Sequence, residues 1–217
     1  MKERGMIFNS EMVRAILDGR KTQTRRPVKP QPELTERSGF SWNGVVFGSG
    51  SDDRGTNRNF AHVKCPFGKP GDRIWVRETF RVHSRASDVA TLVYRASVRN
   101  SWTEQTHRVP VAVCNKPATP EKWTPSIHMP RWASRLLLEI TDVRVERVQD
   151  ISQIDAIAEG GPPDHPSFSK ISREMGFSDW PRSWFAQTWW GIYGREAWNT
   201  NPWVWVIEYK RVEGGAA

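Results

Sequence analysis

The chain has 217 residues, 37% of them hydrophobic, with 12 Trp, 9 Phe and a formal net charge of +8. That length and aromatic content suffice for a packed core and argue against a disordered chain, while the charge favours an anionic partner, nucleic acid before a membrane surface. Two cysteines, Cys65 and Cys114, exclude a disulfide framework and a Cys-rich zinc site. The histidines (His62, His83, His107, His128, His165) show no metal-ligand spacing, so neither a metal nor another cofactor is expected. There is no apolar run of about 18 residues and no apolar leader core, which predicts a cytoplasmic protein that does not enter a membrane.

Residues 5–9 read as a short buried strand. Asn9 or Ser10 then caps a helix with Met12, Val13, Ile16 and Leu17 on its apolar face, and Gly19 suits the position just past its end. Pro27, Pro30 and Pro32 forbid further helix. Residues 33–62, rich in Gly, Ser, Asn, Asp and Arg, read as a long flexible loop with room for a hairpin. A turn at 68–72 leads into a strand over 73–80, with Ile74 and Val76 on one face and Trp75 on the other. Residues 91–96 form another strand, and 117–129 a Pro-rich connector. Leu136, Leu138, Ile140, Val143, Val145 and Val148 make 135–150 the strongest β signal, as one bent strand or as a hairpin.

Ser152 opens a helix over 153–159, closed by Gly160 and Gly161, and 162–181 read as a polar insertion. A Trp-rich helix carrying Trp184, Phe185, Trp189 and Ile192 ends near Gly194, before a last strand over 203–209. Most of its neighbouring tryptophans are expected in a core where this helix meets this strand, with Trp190 or Trp198 as exposed platforms. The order of elements predicts a single α+β domain built on one mixed or antiparallel sheet, curled into a small barrel with helices at the rim.

The positive charge is concentrated early: residues 1–30 hold eight Lys or Arg against three acids. Its focus is Asp18-Gly19-Arg20-Lys21-Thr22-Gln23-Thr24-Arg25-Arg26, where four cations and two hydroxyls face only Asp18. With little apolar side chain to bury, this stretch is expected to face solvent or a ligand, most simply a phosphate. A solvated basic turn is the simpler alternative.

The run from Ile16 to Arg26 resembles the signature of ASCH domains, members of the PUA-like β-barrel superfamily. Further pieces follow in the family's order: Pro70-Gly71-Asp72 before Ile74-Trp75-Val76-Arg77, then Ile140-Thr141-Asp142-Val143, Ile151-Ser152, Asp155-Ala156 and Ala158-Glu159-Gly160, and the ending from Trp203 to Tyr209. The resemblance covers about half the chain, and the overall look is similar to the larger ASCH proteins of phages and prophages. Relative to compact members, 33–62, 97–130 and 161–182 are insertions. The resemblance implies a PUA-like barrel with a cleft for RNA or a modified nucleoside. In one ASCH group, similar to amidohydrolases of N4-acetylcytidine, the working residues match Lys21, Thr24 and Glu159 here. Another ASCH protein is a ribonuclease, and other members of the superfamily only bind RNA.

On the amidohydrolase reading, Thr24 is the nucleophile, Lys21 its base and Glu159 the acid that protonates the departing amine. Arg20, Arg25, Arg26 and Arg77 read as phosphate or base-edge contacts, while Thr22, Trp75 and Glu78 are further cleft candidates. Glu78 also suits a cross-strand ion pair, and Trp75 suits core packing. Three functions therefore fit: an amidohydrolase on an N4-acylated cytidine, a ribonuclease of single-stranded RNA, and a non-catalytic nucleic-acid-binding module, with DNA as well as RNA among its partners.

Overall fold

A computed structural model describes residues 1–35, 39–47, 54–97 and 106–212. In chain order its strands are β1 (Glu3–Ile7), β2 (Gln23–Pro27), β3 (Glu33–Leu34), β4 (Phe40–Trp42), β5 (Val45–Phe47), β6 (Arg73–Arg77), β7 (Phe80–Arg85), β8 (Val89–Tyr94), β9 (Thr106–Pro110), β10 (Leu137–Arg147) and β11 (Trp203–Arg211). Its α-helices are α1 (Ser10–Leu17), α2 (Arg54–Lys64), α3 (Gln153–Ala158), α4 (Pro166–Glu174), α5 (Trp180–Tyr193) and α6 (Arg195–Asn199). The fold is α+β. Its strands form open sheets, and none closes into the expected barrel among the described residues.

The chain expected as one domain comprises two compact units, each drawn from separated segments. The first takes Met1–Asp18, Asp72–Glu139 and Lys210–Ala217; the second takes Gly19–Gly71 and Ile140–Tyr209. Residues 137–139 of β10 thus fall in the first unit and the remainder of that strand in the second.

In the first unit, β6 pairs parallel with β1 and antiparallel with the opening residues of β10. Gly5 lies opposite Trp75, whose ring lies so close that a Cβ on Gly5 would sit 2.5 Å from Trp75 Cζ2. Asn9 caps α1 by accepting from the Met12 N–H at 2.8 Å, and Gly19 follows with φ +74°. A second sheet runs β7–β8–β9, antiparallel throughout. Phe80, Val82, Leu92, Tyr94 and Val109 from its strands pack with Met129 and Ala133. The strand expected over 73–80 thus breaks at residues 78–79, and β7 and β9 are elements that sequence periodicity did not reveal.

In the second unit, β11 is paired antiparallel with β2 and neighbours β10. Alternation gives β11 two apolar faces. Val204 and Val206 pack with Val148, Ile151, Ala156, Phe185 and Trp189 beneath α3 and α5. Trp203 and Trp205 instead meet Phe40, Trp42, Phe47 and Phe60, from the β4–β5 hairpin and α2. The hairpin turns on Asn43 (φ +46°) and Gly44 (φ +77°), the dipeptide that a tight two-residue turn favours. The expected loop over 33–62 therefore contains a hairpin and the helix α2; its residues 36–38 and 48–53 lie outside the described residues, as do 98–105 of the 97–130 insertion. The third insertion contains α4. Residues 135–150 form one long strand followed by a short 3-10 turn, not a hairpin.

Candidate functional site

The basic stretch does not face solvent as expected. Lys21, Gln23, Thr24 and Arg25 are 2–4% exposed, although β2 is the end strand of its sheet and pairs with β11 alone, and remote carboxylates neutralise the cations. Asp18 is not their only counter-charge.

The centre of the cluster is built where the chain before β2 meets the end of α3. Ser152 caps α3 by accepting from the Asp155 N–H at 3.0 Å, and Glu159 is the C-cap. The Thr22 N–H donates to Ala158 O at 2.9 Å, and Lys21 and Glu159 form an isolated antiparallel bridge. This brings Lys21 Nζ to 2.7 Å from Glu159 Oε2 and 2.8 Å from Glu159 O. The ammonium thus neutralises a carboxylate and satisfies a helix-end carbonyl, where a cation is favoured. The unfavourable placement of a glutamate at a helix C-terminus is offset by Lys21.

Arg25 holds the other side of Glu159, with Nη1 at 3.2 Å from Oε1. Its Nη2 bonds Glu146 and lies 3.4 Å from Asp155 Oδ2, and its guanidinium carbon lies 5.6 Å from the Phe185 ring centroid. Arg144 continues the network to Glu146 Oε2 and Asp155 Oδ1, each at 3.1 Å, and to Glu208. With its amide turned so that nitrogen faces Asp155 Oδ1 at 3.1 Å, Gln23 closes the ring of contacts. Three cations meet four carboxylates, graded from the wholly buried Lys21 and Arg25 side chains to Glu208, 39% exposed.

Burial lowers the pKa of Lys21; Glu159 opposes this, while Arg26 and Arg25 reinforce it. For Asp155, burial acts upward but Arg25 and Arg144 outweigh it, and its pKa lies below the ordinary carboxylate value. Burial raises the Tyr209 hydroxyl well above its usual value, with Glu159 adding to the effect. A lysine whose charge is destabilised beside a carboxylate can exchange a proton with it, which is the chemistry this arrangement offers.

Of the expected catalytic trio, Lys21 and Glu159 meet and Thr24 stands apart. In the β2–β11 ladder Thr24 is opposite Ile207, whereas Gln23 and Arg25 are opposite Glu208 and Val206, so Thr24 projects to the other face from Arg25. Among the described residues no hydrogen bond joins its hydroxyl to Lys21 or Glu159. Arg25, expected on a phosphate, is committed to three carboxylates. Arg20 is exposed and donates to Gly160 O at 3.0 Å; Arg26 is half-buried; Thr22 is exposed.

Trp75, Arg77 and Glu78 belong to the first unit. Arg77 bonds the Ile127 carbonyl and lies 5.4 Å from the Trp75 ring centroid, so its guanidinium is occupied within that unit. Trp75 is half-buried against Gly5. Glu78 makes a two-point ion pair with Arg135, at 2.9 and 3.1 Å, in place of a cleft carboxylate. Burial nevertheless raises its pKa against the pull of Arg135.

Arg144, Glu146, Asp155 and Glu208 escaped the sequence reading. For three of them the signal was charge set into an apolar strand: Arg144 and Glu146 alternate with Val143 and Val145 on β10, and Glu208 follows the apolar run of β11, whereas Asp155 on α3 gave none. Among the described residues no group of three or more His, Cys, Asp or Glu could hold a metal ion, and no helix is long and apolar enough to cross a membrane. No known protein family, curated protein or solved structure matches the chain.

Proposed function

We propose that the chain is a cytoplasmic ASCH-type hydrolase, with a PUA-like ancestry, that binds RNA or a modified nucleoside and removes the acyl group from N4 of an acylated cytidine. The observation that supports this reading is the buried Lys21–Glu159 contact of 2.7 Å, within the sequence that resembles the ASCH signature. Lys21 passes its ammonium proton across the contact to Glu159, and the neutral amine takes a proton from an attacking water as its oxygen bonds the acyl carbon. The carbon–nitrogen bond breaks as Glu159 delivers its proton to the departing cytosine amine, which returns the pair to ammonium and carboxylate. Amide and water thus give acid and amine. Water replaces Thr24 as the nucleophile in this scheme, since Thr24 has no hydrogen bond to Lys21. Asp155 and Glu146, at 23% and 21% side-chain exposure, bring the part of the network around Arg25 to solvent.

The test is chromatography of reactions with N4-acetylcytidine and with mixed single-stranded RNA, each with and without EDTA. Cytidine release insensitive to EDTA is expected, with Lys21→Met and Glu159→Gln each slowing it roughly 10²- to 10⁴-fold. Thr24→Ala should retain most of the activity, and unfolding midpoints recorded alongside separate lost chemistry from lost fold. RNA cleavage with the nucleoside untouched would replace this reading with a ribonuclease. Binding of RNA or DNA without turnover would reduce it to a binding module.

A further inference from the structure

We propose that a cavity of about 450 Å³ on the second unit binds a mononucleotide, independently of whether the Lys21–Glu159 pair is catalytic. Its volume lies within the range of small-molecule sites. Its walls bring together Phe177 and Trp198, Arg182 and, at the rim, Asp150 and Gln149.

Arg182 supplies the charge. Its backbone N–H donates to Asp179 Oδ1 at 2.9 Å, but its Nε stands 3.5 Å from Asp179 Oδ2, is buried and makes no hydrogen bond. Among the described residues this guanidinium has no other hydrogen-bond or ion-pair partner. A planar fork with uncommitted donors at the wall of a cavity suits an oxyanion that can accept two bonds, as a phosphate does.

The aromatic wall supplies a flat apolar surface held in place from behind. Trp198 and Phe177 lie 6.3 Å apart at 54°, Phe177 is braced by Trp190 at 6.2 Å, and Trp198 by Phe185 at 6.2 Å. The Trp198 carbonyl accepts from Gln149 Nε2 at 2.8 Å and from the Asn201 N–H at 2.9 Å, which fixes the short helix α6 that carries the ring. A ring fixed in this way is a stacking platform for a nucleobase. Asp150 is exposed at the rim and lies within the field of Arg147. Its carboxylate repels a phosphate and accepts from an amine or a ribose hydroxyl, which sets the polarity of the ligand: phosphate toward Arg182, sugar or base edge toward Asp150.

The experiment is calorimetric titration of the full chain with CMP and AMP, alongside cytidine and inorganic phosphate. The mononucleotides are expected to bind more tightly than either fragment, and Arg182→Gln to weaken them about tenfold or more. Trp198→Phe should weaken them less, while Lys21→Met should leave them unchanged and so distinguish this site from the one proposed above. Absence of mononucleotide binding, binding indifferent to Arg182→Gln, or inorganic phosphate binding as tightly as CMP would overturn the proposal.

Discussion

Glu78 in the first unit and Glu159 in the second are both glutamates that the fold removes from water, at 2% and 6% exposure. Their surroundings differ in kind. Among the described residues Glu78 has a single counter-ion, Arg135, which grips both carboxylate oxygens and lies 4.1 Å from the Tyr94 ring centroid. Glu159 is shared by Lys21 and Arg25, and Arg25 passes the contact to Glu146 and Asp155. A closed pair settles one charge against another and ends there. A branched cluster lets the protonation of one member change the field at the next, which is why the second arrangement suits proton transfer and the first suits the fold.

The branched cluster fails hardest if its hub is lost. Arg25→Met removes the one cation that Glu146, Asp155 and Glu159 have in common, leaving Arg144 on the first two and Lys21 on the third, and should cost about 3–5 kcal/mol in urea unfolding. Double substitutions then separate the two designs. Glu78→Leu and Arg135→Met should each destabilise by roughly 3 kcal/mol or more, while their combination should recover most of that, because nothing charged remains unpaired. Lys21→Met with Glu159→Met should not recover, since Arg25 keeps its charge and loses an acceptor. Equal recovery in the two cycles would erase the distinction.

Steric changes sharpen it further. A Cβ on Gly161 would lie 2.6 Å from Ala156 O and 2.9 Å from the Trp184 ring, two residues from Glu159. A Cβ on Gly5 meets Trp75 in the other unit. Gly161→Ala and Gly5→Ala should each cost about 1–3 kcal/mol, but only the former should lower cytidine release per folded molecule.

The smallest effects are in the pH dependence of the unfolding midpoint. Asp155 is lowered on folding, so its stabilisation is complete above its unfolded value near pH 3.9 and is lost as pH falls through its folded value; Asp155→Asn should flatten that acid limb. Glu78 has the opposite sign. Its raised value favours the fold below about pH 4.3, and that contribution disappears as pH rises through the folded value, so Glu78→Gln should remove this loss. Lys21, lowered on folding, contributes stability that is complete above about pH 10.4 and is lost as pH falls through its folded value.

The sequence revealed what neighbours in the chain decide. The Asn9 cap, the end of α1 at Gly19, the Ser152 cap, the end of α5 at Gly194 and the alternation of β11 all depend on residues within a few positions of one another. The charged cluster depends on contacts between residues 121 to 138 positions apart, such as Arg25 with Glu146 and Lys21 with Glu159. Nothing local to residues 18–26 distinguishes a solvated run of cations from one awaiting carboxylates elsewhere. The same limit explains β7 and α2: Arg81, His83 and Arg85 on one, and Arg58, Asn59 and Lys64 on the other, read as loop until an aromatic or apolar neighbour gives their opposite face something to cover. Lys21 and Glu159 were paired in expectation through the ASCH resemblance alone, not through composition or spacing, and their side chains do meet. Thr24 is close to Lys21 in sequence, yet the alternation of β2 turns it to the face opposite Arg25.

The interleaving of the two units has a consequence for how the polypeptide is made. Elongation delivers the first 18 residues of one unit, then part of the other, then most of the first, and the final strand last of all. At synthesis rates of about 5–20 residues per second, β1 waits for β6 before it can pair, and β2 waits longer still for β11. No single cut in the chain releases either unit whole: ending at residue 139 discards β11 from the partner of β2, and beginning at residue 19 removes β1 from β6. Fragments intended to isolate the Lys21 cluster must therefore join 19–71 to 140–209 by a designed linker.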